Sequence, residues 1–117
     1  MTYWFSGLYD SIDAMRLDEF AAGLAPDVKL VVGNAPAMNG REAAKQGIGL
    51  FWSTISGLKH HVRHVAESNG LTFLEANVEY LRKDGRAVTI PTVTVLERHG
   101  DLVKSLRIYF DVAPVYA

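Results

Sequence analysis

The stretch Leu71-Thr-Phe-Leu-Glu-Ala-Asn-Val-Glu-Tyr-Leu-Arg-Lys-Asp-Gly85 decides the fold. Phe73, Glu75, Asn77, Glu79 and Leu81 fall on one side of a two-residue period, and Leu74, Ala76, Val78 and Tyr80 on the other. This is a strand, and the Asp-Gly that closes it is a hairpin signal. Working outward, residues 58–67, 86–98 and 102–112 alternate in the same way. Ser68-Asn69-Gly70, Lys83-Asp84-Gly85 and His99-Gly100-Asp101 cut the runs apart. An antiparallel meander of four strands therefore fills the C-terminal half.

Upstream the period changes to that of a helix. Trp4, Phe5, Leu8, Ile12 and Met15 mark a first helix beginning near Thr2. Asp18 is the expected N-cap of a second, which turns Phe20, Ala21 and Leu24 inward and stops at Pro26. Residues 28–32 read as a strand bounded by Gly33, and residues 34–40 as a loop. Ala44, Ile48, Phe51, Trp52 and Ile55 give a third helix over residues 41–56, ended near Gly57. The order is ααβαββββ, an α+β architecture of one domain over residues 1–117 with its helices gathered on one face of a curved sheet. A strongly curved sheet wrapped on helices leaves a cone, a cone-shaped α+β barrel whose open end is a natural pocket.

Composition limits the partners. The 117 residues are 49% hydrophobic and 21% charged, which is globular. At 12.9 kDa, size scaling gives about 6,300 Å² of folded surface, enough burial for a core without staples. Twelve basic and thirteen acidic residues leave a net charge of −1, so no phosphate-neutralising stripe exists and neither nucleic acid nor an anionic membrane is the expected partner. The absence of cysteine excludes disulfides, thiolate nucleophiles and Cys-ligated zinc. The opening Met-Thr-Tyr-Trp-Phe lacks the basic and apolar regions of a leader, and no run reaches the ~18 apolar residues of a membrane span. The expected setting is soluble and cytoplasmic.

Several local motifs, in order, carry a family resemblance. They are Leu24-Ala-Pro-Asp-Val28, Gly33-Asn-Ala-Pro36 with Gly40, Gly57-Leu-Lys-His60, Val78-Glu-Tyr-Leu-Arg-Lys-Asp-Gly85, Pro91, and Leu106-Arg-Ile-Tyr-Phe-Asp111. Together they resemble the SnoaL-like branch of the nuclear-transport-factor-2-like (NTF2-like) superfamily over nearly the whole chain. The resemblance implies a cone-shaped α+β barrel, usually a homodimer, with an apolar cavity that binds or transforms a small organic molecule. Its members include ketosteroid isomerases, limonene epoxide hydrolases, polyketide cyclases, dehydratases and non-catalytic binding modules, so fold alone selects no reaction.

The last strand and the Asn34-x-Pro36 loop are most similar to the limonene epoxide hydrolases. Of that family's catalytic set, the Asn falls on Asn34, the Tyr on Val32, the Arg on Asn77, the first Asp on Glu79 and the second on Ile108. An isoleucine neither gives nor takes a proton, so the epoxide mechanism does not transfer as it stands. The ketosteroid isomerase pattern puts its base near Val32, its oxyanion acid near Thr94 or Val93, and its helix-1 tyrosine near Leu8, one residue from Tyr9. The polyketide cyclase acid falls near Arg107 or Ile108.

Two readings of Glu79 stand together. By apolar content, Leu74 and Val78 face the core and Glu79 is a surface glutamate; by the family alignment it faces the cavity, where desolvation suits it to proton transfer. His60 is either its partner in the cavity or a structural histidine. His60, His61 and His64 cannot share one ion, since the first and last lie about 13 Å apart and His61 points the other way. No metal and no organic cofactor are expected. Tyr9, Trp4 and Trp52 on the roofing helices, with Asn34 and Asn77, are the candidate ligand-binding residues. Arg107 and Asp111 share a parity with Tyr109 and read as an ion pair or as interface residues.

Two functions follow. As an enzyme the chain is a cofactor-independent hydrolase or isomerase, with Glu79 acting on a proton or water, His60 assisting, and Asn34 and Asn77 orienting the substrate. As a binding module, the same cavity holds a small apolar organic molecule without chemistry, which the missing acid at Ile108 favours. A homodimer is expected through the outer sheet face, with Thr92, Thr94, Arg107 and Tyr109 on it.

Overall fold

The structure, a computed structural model, describes residues 3–117. Along the chain run α1 (Ser6–Asp13), α2 (Leu17–Ala22), β1 (Leu24–Val32), β2 (Met38–Asn39), α3 (Arg41–Ser53), β3 (Ile55–Ser68), β4 (Leu71–Arg82), β5 (Ala87–His99), β6 (Leu102–Tyr109) and α4 (Ala113–Tyr116). The strands form one curved, unclosed sheet in the order β2-β1-β6-β5-β4-β3. The meander expected from the turn residues is present: β3, β4, β5 and β6 pair antiparallel in sequence order. Asn69 and Gly70 take φ values of 52° and 78°, matching the left-handed pair that a two-residue hairpin turn of the right twist requires.

Burial follows the two-residue period of β4. Leu74, Ala76, Val78 and Tyr80 are at most 3% exposed and face the helices. On β5 the inward set is Ile90, Thr92, Thr94 and Leu96, and Phe20 and Trp52 bring the helical layer onto it with ring centroids 5.5 Å apart. Most of the buried apolar side chains form one cluster. The accessible surface of 6643 Å² is close to the roughly 6,300 Å² expected for a folded chain of this mass.

The structure moves several boundaries. The expected helix start near Thr2 lies outside the described residues; α1 itself begins at Ser6, so Trp4 and Phe5 precede it. The N-cap position of α2 falls on Arg16, whose side chain makes no capping hydrogen bond, rather than on Asp18, which sits in the first turn, where a carboxylate favours the helix dipole and reaches Lys45 at 2.7 Å. Leu24 is not helical but opens β1, and Pro26 lies inside that strand where the β1–β6 register slips, a place that needs no ladder N–H. β1 pairs with β6 in parallel, so the sheet is mixed rather than wholly antiparallel. α3 ends at Ser53, and Ile55 already belongs to β3. β6 stops at Tyr109, and the two-residue β2 and the short α4 were not read from the sequence. Thr92 and Thr94 face inward, because they share the parity of Ile90 and Leu96; the outer face carries Arg107 and Tyr109 opposite Val95 and Val93.

Candidate functional site

α1 ends on Asp13. A carboxylate at a helix C-terminus opposes the macrodipole and needs a compensating donor. It finds two in His60 of β3: the backbone N–H donates to Oδ2 at 3.1 Å, and Nδ1 lies 2.6 Å from Oδ1. A carboxylate only accepts, so Nδ1 carries the hydrogen and Nε2 is the nitrogen left as acceptor. The His60 side chain is 11% exposed and that of Asp13 29%. One turn before Asp13, the Tyr9 ring meets the His60 ring edge to face at 4.8 Å.

These side chains stand at the wall of an inner pocket. Tyr9, Ile12 and His60 form one side, Phe20, Ile48, Phe51 and Trp52 the helical side, and Leu30, Leu58, Tyr80, Thr92, Thr94, Leu106 and Ile108 the sheet side. The free space is about 40 Å³, room for a few waters. Its walls are mainly apolar. Burial pushes the Tyr9 phenol up to about 12, with the Thr94 hydroxyl pulling it back by hydrogen bonding and the Asp13 charge adding to the rise. Burial likewise raises the Tyr80 phenol. Both phenols therefore stay protonated well above neutral pH. Thr92 Oγ1 spends its hydrogen on the Ile90 carbonyl at 3.1 Å.

Beside the inner pocket lies a wider groove of about 590 Å³. It is lined by residues 32–36, Met38, Gly47 and Phe51 together with residues 110–113 and Tyr116, among them the Asp111 carboxylate. Phe51 borders both spaces.

Of the residues singled out from the sequence, Tyr9, Trp52 and His60 line the inner pocket. Glu79 does not, and the cavity reading of it is corrected. It shares the outward parity of β4, and its Oε1 is 3.2 Å from Nε2 of His61 on the outer face of β3. Asn77 is on that same outer face, opposite His61 and Pro91. Glu79 and His60 therefore point to opposite sides of the sheet and cannot work together. Trp4 is held away from the pocket, its Nε1 donating to Thr72 Oγ1 at 3.0 Å and its ring beneath the Arg98 guanidinium at 5.1 Å. Asn34 is exposed and borders the groove, not the inner pocket. Arg107 and Asp111 do not pair: the first donates to Ser105 and the second accepts from the Ala113 N–H at the start of α4.

The residue that sequence reasoning missed is Asp13. Its signal was available: an acid at the C-terminal end of a helix, one turn past an inward tyrosine, is electrostatically misplaced unless something pairs it. Among the described residues no three His, Cys, Asp or Glu side chains converge as a metal site, and no helix is long and apolar enough to cross a membrane.

Comparison with known proteins places this geometry. Residues 5–106 match the family model described as the SnoaL-like domain. No curated protein sequence matches the chain. Among solved structures, a protein of ketosteroid isomerase-like fold from Catenulispora acidiphila, in complex with trimethylamine, superposes with a TM-score of 0.86 at 15% identity, covering 98% of this chain and 90% of that one. An LEH-like epoxide hydrolase from M. tuberculosis gives 0.79 at 13% identity, covering 97% and 84%. A SnoaL-like polyketide cyclase from Jannaschia gives 0.77 at 18%, covering 95% and 82%.

Proposed function

Because the chain belongs to the SnoaL-like family, whose model spans residues 5–106, we propose that its inner pocket receives a small organic molecule and that His60, backed by Asp13, acts there as a general base. The observation that carries this reading is the 2.6 Å contact of Asp13 with His60 Nδ1 at the wall of an apolar pocket. That contact fixes the ring, leaves Nε2 as the basic nitrogen and stabilises the imidazolium once a proton arrives.

The chemistry that suits this set is proton transfer at a carbon next to a carbonyl. His60 Nε2 takes the proton, and the C–H electron pair moves through the carbonyl group onto its oxygen. The Tyr9 phenol donates a hydrogen bond to that oxygen. Return of the same proton to another carbon completes an isomerisation, with no water or redox partner consumed. Hydrolysis fits less well, since it needs a second acid and Ile108 occupies the position where the epoxide hydrolase likeness expects one.

The test is deuterium exchange at the carbon beside the carbonyl of 3-cyclohexenone in D₂O, followed by NMR. The chain accelerates exchange over buffer, and His60→Gln removes about 10²- to 10⁴-fold of the acceleration. The second reading, a binding module, rests on the same missing acid. It is the outcome if the ketone moves the pocket's isoleucine methyl resonances while exchange stays at the buffer rate.

The outer sheet face supports a homodimer as a further part of this proposal. Phe73, Val93 and Tyr109 are 36%, 37% and 54% exposed there, beside Arg107, a mixture of aromatic, aliphatic and guanidinium groups typical of interface cores. Light scattering at micromolar concentration tests it, with twice the chain mass expected and 12.9 kDa the result that rejects it.

A further inference from the structure

Asp111 carries a charge that the fold leaves unanswered. The sequence offers Arg107 as its partner, but that guanidinium donates to Ser105, and among the described residues no Lys, Arg or His side chain pairs with Asp111. One carboxylate oxygen is in use. Oδ1 accepts the Ala113 N–H at 3.0 Å, which holds the group in place. Oδ2 is left to take a donor from outside the chain.

The surroundings of that oxygen narrow the choice of donor. Asp111 lines the wider groove together with Met38, Phe51, Phe110, Val112 and Tyr116, and among the described residues no cationic side chain joins them. The groove's volume of about 590 Å³ is in the range of roughly 300–1,000 Å³ usual for small-molecule sites. Aromatic faces attract cations, whereas an anion beside Asp111 is repelled. A hard metal ion suits the place poorly, because it takes about six oxygen ligands and this wall is mostly carbon.

The aromatic walls are held from behind. Phe110 stacks on Tyr80 at 6.4 Å, and Tyr80 meets Phe51 edge to face at 6.0 Å. The Tyr116 and Thr54 hydroxyls share a hydrogen bond of 2.8 Å, Arg82 donates to the Pro114 carbonyl at 3.1 Å, and Val115 is buried, so α4 is tied down. Met38 is the yielding part, since an unbranched thioether adapts to what lies against it.

We propose that the groove is a second binding site, and that its ligand is a protonated primary amine carrying an apolar body about one ring in size. The ammonium group donates to Asp111 Oδ2 and stands among the rings of Phe110 and Tyr116; the body rests on Met38, Phe51 and Val112. Neither His60 nor Tyr9 lines this groove. The site therefore does not depend on the reaction proposed for the inner pocket.

2-Phenylethylamine and 2-phenylethanol separate the charge from the body, because they differ in the head group alone. In dilute buffer at neutral pH the amine binds about tenfold more tightly than the alcohol, as a charge-assisted hydrogen bond with aromatic neighbours allows. It shifts the Met38 methyl resonance and leaves the methyls of Ile12 and Ile48, in the inner pocket, unmoved. Asp111→Asn keeps an oxygen for the Ala113 N–H, so the turn survives, and it abolishes the ratio between the probes by weakening the amine alone. High salt shrinks the ratio as well. The proposal is overturned by an amine that does not bind or binds no tighter than the alcohol, by one that moves Ile12 and Ile48 but not Met38, or by an Asp111→Asn protein that keeps the ratio.

Discussion

His60 and His61 are neighbours in β3, and each meets a carboxylate, yet the two pairs live in different solvents. His60 faces the helices. Its ring and backbone N–H both engage Asp13, and its side chain is 11% exposed. His61 faces outward to Glu79 at 3.2 Å, with the two side chains 50% and 46% exposed. The pleat alone makes the difference, because successive residues of a strand point to opposite faces. Two pairs of identical type thus divide into a positioned base and a solvated ion pair, and only contact with a second layer of structure separates them.

The largest effect that can break this division is packing on β4. Leu74 is fully buried on the inner face and Phe73 is 36% exposed on the outer. Leu74→Ala is expected to cost about 2–5 kcal/mol, the range for a buried leucine whose cavity stays open. Phe73→Ala costs less than about 1 kcal/mol, as for most surface changes. Urea unfolding measures both, and equal costs would show that the two faces are not distinct in the way described. If Phe73→Ala becomes costlier at higher protein concentration, the outer face is buried between copies.

The second effect is the alkaline limit of the inner face. The unfolded chain loses the Tyr9 proton near 10.0, whereas the folded protein holds it to about 12. Between those values the folded state binds more protons, so stability is fully present below pH 10 and is lost as pH rises through 12. The interval corresponds to about 3 kcal/mol at 1.36 kcal/mol per pH unit. Chemical denaturation from pH 9 to 12 should show this loss together with one at least as large from Tyr80, whose phenol burial raises further, so Tyr9→Phe should remove about half of the total. An unchanged slope in Tyr9→Phe would mean that the phenol is not buried in solution.

The Asp13–His60 pair comes next. Hydrogen bonds to a charged group contribute about 1.5–3 kcal/mol, so a double-mutant cycle with Asp13→Asn and His60→Gln is expected to give a coupling of about 1.5–2 kcal/mol. Coupling near zero would reduce the pair to a coincidence of position.

How much of this was legible in the sequence depended on how local the cause was. The turns at Asn69-Gly70 and Asp84-Gly85 and the alternation of β4 are set by neighbouring residues, and the meander followed from them. The parity of β4 even identified Glu79 as a surface residue when read by apolar content alone; the family alignment pulled it inward and was misleading by one face. β1 against β6 is a parallel pairing between residues 76 or more positions apart, which no short-range pattern encodes. The same holds for Asp13 and His60, 47 residues apart, which meet only when α1 lies across β3. Trp4 read as a helical roof residue because its spacing fits, but its indole N–H took a partner on β4 instead.

The smallest effect is expected at the outer pair, and it tests the comparison most sharply because His61 and His60 share a strand. Glu79 and His61 hold each other across β3 and β4 with both side chains about half in water. Exposed pairs of this kind contribute about 0.2–1 kcal/mol, with long side chains losing freedom to make them. Their charges are also screened, since the Debye length at 0.15 M ionic strength is about 8 Å and falls to about 3 Å at 1 M. A double-mutant cycle with Glu79→Gln and His61→Gln is therefore expected to give less than about 0.5 kcal/mol at pH 6 in dilute buffer and nothing measurable at 1 M NaCl. The Asp13–His60 coupling, held by the 2.6 Å contact of the two side chains beneath α1, should keep most of its value at the same salt. A salt-resistant coupling at His61 as large as that at His60 would mean that the outer face is covered, and the place to look for the cover would be a second copy of the chain.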